Sequence, residues 1–256
     1  MRPGAALAAL ALGLGGVARA QETDDPHSAQ PERPTVATHA YTVWPGYSEL
    51  EFGLELDRLD GSQLFTTPTT YKVGVTHRTQ IEASFAYARG SDGTVTQGFT
   101  DLVLAFKWRV ADSLPLLGAF AIQPAVRLPT GAAAFSADAW VGSLLLISSQ
   151  KIGPVELDVN FGAYAPITSG NVPHVATLWT VSTSGPVRGK LGWTAEVYGY
   201  PGTSGAGSEG PLVGLLAAPT FQMHDWFVLD AGVIIPLSGP QPHSLFAGLT
   251  WNAGHF

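Results

Sequence analysis

Carboxylates recur at every second position over residues 48–58. Glu49, Glu51, Glu55 and Asp57 take odd positions, and Leu50, Phe52, Leu54 and Leu56 take even ones. Successive side chains of an extended chain point to opposite faces, so this stretch has one acidic wall and one apolar wall. A helix would mix the two sets around its axis. The same parity adds Glu82, Asp101, Glu156, Asp158, Glu196 and Asp230 to the polar face, with Lys72, Lys107, Arg109 and Arg127 against them. Asn160, Tyr164 and Tyr198 share it, and the two tyrosines are the rings placed to guide an aromatic solute. Fixed charges of this kind act through their field. Around a closed bore, excess carboxylate favours neutral or cationic solutes and resists anions. In the alternative, acids and bases pair across the bore and fill it. Acids outnumber bases here, so some carboxylates lack a basic partner, which favours water inside.

Catalytic patterns are weak. There is no cysteine, no Gly-x-Ser-x-Gly, no His-Glu-x-x-His, and no Cys/His cluster with zinc spacing. Residues 205–210 fit Gly-x-Gly-x-x-Gly, but Pro211 follows and no helix opens there. Asp60 and Asp92 each precede glycine, which reads as a turn before it reads as a calcium loop. His174 with Ser182 is the pairing that a barrel lipid hydrolase would need, but Thr177 between them has the opposite parity. The expectation is no enzyme, no metal and no cofactor, with the lipid hydrolase as an alternative.

The elements that must position the acidic wall are strands. Twelve extended segments follow one another: 48–58, 68–76, 80–89, 97–110, 116–130, 138–149, 155–167, 174–184, 189–200, 211–222, 226–237 and 244–256. Tight connections (77–79, 111–115, 150–154, 185–188, 223–225) alternate with longer ones (59–67, 90–96, 131–137, 168–173, 202–210, 238–243). Prolines 129, 166, 201 and 236 recur about one hairpin apart and mark the long-loop rim, because proline cannot donate to a ladder. Pro124 and Pro219 fall deeper and are expected at bulges. Trp108, Trp193 and Trp226 near one rim, and Trp140, Tyr164 and Tyr200 near the other, suit interfacial belts. Charged residues make up only 13 % of a chain that is 45 % hydrophobic, yet beyond the start no apolar run approaches the roughly 20 residues of a spanning helix. The pattern predicts an all-β fold: a closed antiparallel transmembrane β-barrel of about twelve strands in the cell outer membrane of a Gram-negative envelope.

Residues 1–20 have the form of a cleaved signal peptide, with Arg2, an apolar run and Ala18-Arg19-Ala20. Residues 21–40 are polar and aperiodic and read as a flexible periplasmic leader, with a plug entering the lumen as the other reading. The barrel is then 41–256. Losing Arg2 and Arg19 leaves 11 Lys and Arg against 20 acids, which disfavours nucleic acid as a partner. The last strand ends in Phe256, similar to the signal read by the barrel-assembly machinery.

Several short pieces, in order, resemble one family. They are Pro45-Gly46 before the acidic strand, Gly98-Phe99-Thr100-Asp101-Leu102 with Leu104 and Lys107, Leu128-Pro129-Thr130-Gly131, and Asn160-Phe161-Gly162-Ala163-Tyr164. The chain from Tyr41 to Phe256 resembles the outer-membrane transporter barrels grouped as the MetA-pathway of phenol degradation family. The resemblance implies a monomeric barrel, embedded in outer-membrane lipid, that passes a small, hydrophobic or aromatic molecule. It brings no catalytic residue.

Overall fold

The computed structural model describes residues 25–91, 95–169, 174–203 and 210–256. The signal segment, Asp92 and most of the Gly-x-Gly-x-x-Gly stretch lie outside the described residues. Among those described, every regular element is a strand: β1 (Tyr47–Leu59), β2 (Ser62–Thr76), β3 (Thr79–Ser91), β4 (Val95–Phe99), β5 (Leu102–Leu114), β6 (Gly118–Leu128), β7 (Val141–Ile152), β8 (Val155–Pro166), β9 (Ala176–Arg188), β10 (Leu191–Tyr200), β11 (Leu212–His224), β12 (Phe227–Ser238) and β13 (His243–His255).

Neighbours in sequence pair antiparallel all the way round, and β1 pairs with both β2 and β13. Tyr47 stands opposite His255, and Arg58 opposite His243. That pairing closes the sheet and removes both edges, which a bilayer requires because it offers no water to an unpaired backbone. β4 and β5 both pair with β3 and form one wall position, interrupted at Thr100–Asp101, so the barrel is twelve-stranded.

The amphipathicity is inside out. Leu104, Phe106, Trp108 and Val110 alternate along β5 and are exposed, while Lys107 is fully buried between them. Phe161 and Leu54 face out as well, whereas Glu49, Glu51 and Lys72 are buried inside. A soluble sheet does the reverse. An apolar exterior over a polar interior is stable only against hydrocarbon.

Two expectations need correction. Residues 59–67 are not a long loop: β1 and β2 meet at Asp60–Gly61, with φ of 49° and 85°. Asp-Gly supplies the two positive φ angles of a tight hairpin turn, so both strands simply run on. Pro124 and Pro219 sit at no register shift. Pro124 stays in register with Leu144, and Pro219 with Trp193, while the ladder on the opposite side of each lapses for two residues. A missing N–H removes a bond toward one neighbour only, so the strand absorbs it without a bulge.

Both ends of the barrel chain, Tyr47 and His255, lie on the tight-turn rim. The chain before β1 enters the lumen from that rim. Ala37, Ala40 and Val43 are buried at 2 %, 0 % and 0 %. The described part of the 21–40 leader is therefore a plug inside the barrel and not a free tail.

Candidate functional site: a plugged lumen

The plug has no strand to pair with, so each backbone N–H carried into the lumen needs another acceptor. The wall supplies side-chain oxygens. Gln30 N donates to Glu49 Oε2 at 2.6 Å, and Glu32 N to Glu51 Oε1 at 2.7 Å. Val36 N and Ala37 N donate to the two oxygens of Glu196, each at 2.7 Å. Asn160 accepts from Thr38 N at 2.7 Å and returns a bond from Nδ2 to Thr38 O at 2.9 Å. Ala40 N reaches Ser149 Oγ, and Val43 N reaches Gln80 Oε1, both at 2.8 Å. The plug thus makes a circuit of the wall from β1 through β10, β8 and β7 to β3.

Two buried lysines and a partly buried arginine fasten it. Lys72 Nζ bridges Glu49 at 2.5 Å and Glu51 at 2.8 Å, and also donates to Gln30 O at 2.8 Å. Lys107 Nζ pairs with Glu32 and donates to Thr38 Oγ1 at 2.8 Å and His39 O at 3.1 Å. Arg33, from the plug itself, pairs with Asp230 on β12 at 3.2 Å. At the exit, Arg109 Nη2 donates to His77 O at 2.6 Å and its guanidinium lies over the Tyr41 ring. Burial raises the Glu32 carboxyl, but Lys107, Lys72 and His39 outweigh it and hold Glu32 at about 2. Burial pushes His39 down to about 3 against the pull of Glu32, so its ring is neutral at ordinary pH.

Every residue of the predicted polar face on a strand has inward register. The pairs Glu49↔Lys72↔Glu82, Asp158↔Ser182↔Glu196 and Tyr198↔Thr180↔Asn160 share that face. Their surroundings differ. Glu49, Glu51, Glu196, Asn160 and Asp230 hold the plug. Glu82 accepts from Gln80 at 2.7 Å and Gln123 at 2.8 Å. Asp57 accepts from Ser244, and Glu55 lies two residues before it on the same face. Asp101, in the β4–β5 break, accepts Gly131 N at 3.0 Å and Ala137 N at 2.8 Å, so it anchors the β6–β7 loop. Tyr198 is buried and accepts from Gln241 of the β12–β13 loop.

Among the spaces left around the plug, two bear on the predicted residues most directly. The inner one, near the tight-turn rim, has about 410 Å³ and is lined by Glu156, Asp158, Ser182, Trp193 and the plug residues His39 and Tyr41. The outer one has about 340 Å³ and is lined by Arg127, Tyr164, Tyr200 and apolar wall side chains. Tyr200 therefore faces the lumen and is not part of an interfacial belt. Trp226 is also engaged elsewhere: it stacks between His224 and the plug's His27 at centroid distances of 4.8 and 5.8 Å. His174 lies in the loop before β9, whereas Ser182 lies midway along β9 and lines the inner chamber near the tight-turn rim, so they form no dyad.

Sequence reasoning missed what the acids bond to. The acceptors were legible by parity, but their donors are backbone N–H groups, which every residue carries. Gly53 and Gly248 were also missed. A Cβ on either would run into the Arg33 guanidinium.

No family model matches the chain, and no curated protein matches it. Solved structures do. The COG4313 outer membrane channel from Pseudomonas putida F1 superposes with a TM-score of 0.68 at 11 % identity, covering 86 % of this chain and all of that one. The KdgM porin, solved with disordered oligogalacturonate, gives 0.50 at 8 % identity over 79 % of this chain and 98 % of its own. This chain has the fold of an outer-membrane channel barrel. At such identity the likeness extends to architecture alone.

Proposed function

We propose that the protein is an outer-membrane channel that passes a small, largely apolar or aromatic molecule, and that the N-terminal plug is its gate. The observation that carries the reading is how the plug is held. Its contacts are mainly hydrogen bonds and ion pairs to wall side chains, with a few bonds to wall carbonyls, the His27–Trp226 stack and one small apolar cluster around Ala40, Ala119, Ala121 and Ile147. Such contacts can be exchanged for water one by one, whereas a strand inserted in the sheet could not leave without opening the barrel. When the plug leaves, the carboxylates it occupied line the bore, which gives the open state the acid bias that the sequence predicts. The ordered family pieces support membership of the MetA-pathway of phenol degradation group. Phe256 donates its backbone N–H to Gly46 O at the rim, at the end of the closing strand, where the assembly machinery would read it. A monomer suffices, since the barrel closes on itself.

One observation favours a second reading, a structural barrel with a permanently filled lumen: the plug's amides find good acceptors along most of its length. Conductance in planar bilayers separates the two. The chain has no cysteine, so Ala40→Cys with Ala121→Cys can lock the plug to the wall. The gate reading expects openings under reducing conditions and none when the pair is oxidised. Equal silence in both states, from barrels shown to be folded, rejects it.

A further inference from the structure

No carboxylate lines the outer chamber, although Asp57 faces a separate space beside the β1–β2 hairpin and Asp101 one that adjoins Arg127. The charged group that reaches the outer chamber is Arg127, near the long-loop end of β6. Its guanidinium forms no hydrogen bond or ion pair among the described residues. Asp101 feels its charge, but both Asp101 oxygens accept backbone N–H bonds from the β6–β7 loop. Arg127 lines both the outer chamber and the adjoining space beside Asp101, and its planar fork of donors suits a two-oxygen acceptor.

The rest of the chamber fits an apolar body. Val141, Leu145 and Leu178 line it together with Tyr164 and Tyr200, all on the consecutive strands β7 to β10. Gly162 lets that wall close: a Cβ there would stand 2.9 Å from Leu145 and 3.1 Å from Leu178. A volume of about 340 Å³ is at the small end for ligand sites, the size of a single ring with a short substituent. Tyrosine rings set among aliphatic side chains favour an aromatic ring laid against them.

We propose that the outer chamber is a recognition site for a monoaromatic carboxylate, with the carboxylate on Arg127 and the ring against Leu145, Leu178 and the two tyrosines. This deepens the channel reading by naming a solute class, and it rests on that reading.

The test is equilibrium binding of benzoate, with benzyl alcohol as a neutral ligand of like shape and cyclohexanecarboxylate as a saturated one, to the full-length folded barrel at neutral pH. The wild type is expected to bind benzoate saturably and to prefer it to both. Arg127→Gln should weaken benzoate by about tenfold or more, the size expected for a hydrogen bond to a charged group, and leave benzyl alcohol within about twofold. Ser143→Phe, which fills the chamber from the neighbouring strand β7, should abolish binding of all three. If Arg127→Gln does not fold, this second variant still decides. No benzoate preference in the wild type, or benzoate binding untouched by either variant, overturns the proposal. Equal binding of cyclohexanecarboxylate overturns its aromatic part. The conductance of the unlocked barrel is read separately. Conductance without benzoate binding sinks the site and spares the channel; benzoate binding without conductance does the reverse.

Discussion

Gly53 and Gly248 stand directly opposite each other across the β1–β13 pair, and the Arg33 guanidinium occupies the space that their missing side chains leave. Asp230, the partner of Arg33, is in register with Gly248 on the next strand. Three adjacent strands thus form a seat for one plug residue, at the seam where the barrel closes.

Filling that seat should eject the plug and spare the barrel. Gly53→Ala or Gly248→Ala forces a methyl group against a guanidinium that is tied to Asp230, and overpacking of this kind costs about 1–3 kcal/mol. Each variant is expected to raise the frequency of open events in planar bilayers, while heat-modifiable gel mobility still reports a folded barrel. Unchanged conductance would mean that Arg33 is not a latch.

Glu196 accepts two plug amides at once, from Val36 and Ala37. Glu196→Gln keeps one good acceptor oxygen and removes the charge. A charge-assisted bond is worth about 1.5–3 kcal/mol, so the expected loss is near that value and local to the plug. Hydrogen exchange at Val36 and Ala37 should speed up by about tenfold or more, with β10 protection unaltered.

Acid should loosen the plug, and the sign follows from two plug residues. Glu32 sits at about 2 when seated against an ordinary 4.5, so its contribution is complete above pH 4.5 and fades as pH falls toward 2. His39 sits at about 3 against 6.5, so the released plug binds a proton that the seated one refuses, and the seat weakens as pH falls from 6.5 toward 3. Both act in the same direction. Conductance is expected to rise from pH 7.5 to pH 4, and His39→Gln should remove the part of the rise between 6.5 and 4.5. A fall in conductance on acidification would contradict this assignment.

The outward face can be checked independently of the gate. Phe161 is 53 % exposed near the middle of β8, in register with Leu146 and Trp179. Phe161→Arg places a charge in hydrocarbon at a cost of about 2–4 kcal/mol near the midplane. Urea-dependent refolding into lipid vesicles measures it. A negligible cost would mean that this face does not meet lipid.

The sequence by itself determined the barrel. Period-two alternation, low charge and alternating connections sufficed, because in a spanning strand lipid imposes one face and the lumen the other at every residue. It determined the inward residues for the same reason: a register slip would put Lys72 or Glu49 into hydrocarbon. Only the tertiary structure decided what those residues do. The fate of 21–40 was not legible, because a plug held through its backbone has no periodicity and needs no particular side chains at most positions. The seat for Arg33 needs two glycines nearly two hundred residues apart to meet at the closing seam. Likewise, the split between a plug-holding acidic zone and an outer chamber presenting Arg127 depends on how high each residue stands on its strand and on which loop folds over it. Parity gives the face of a residue and says nothing of its depth.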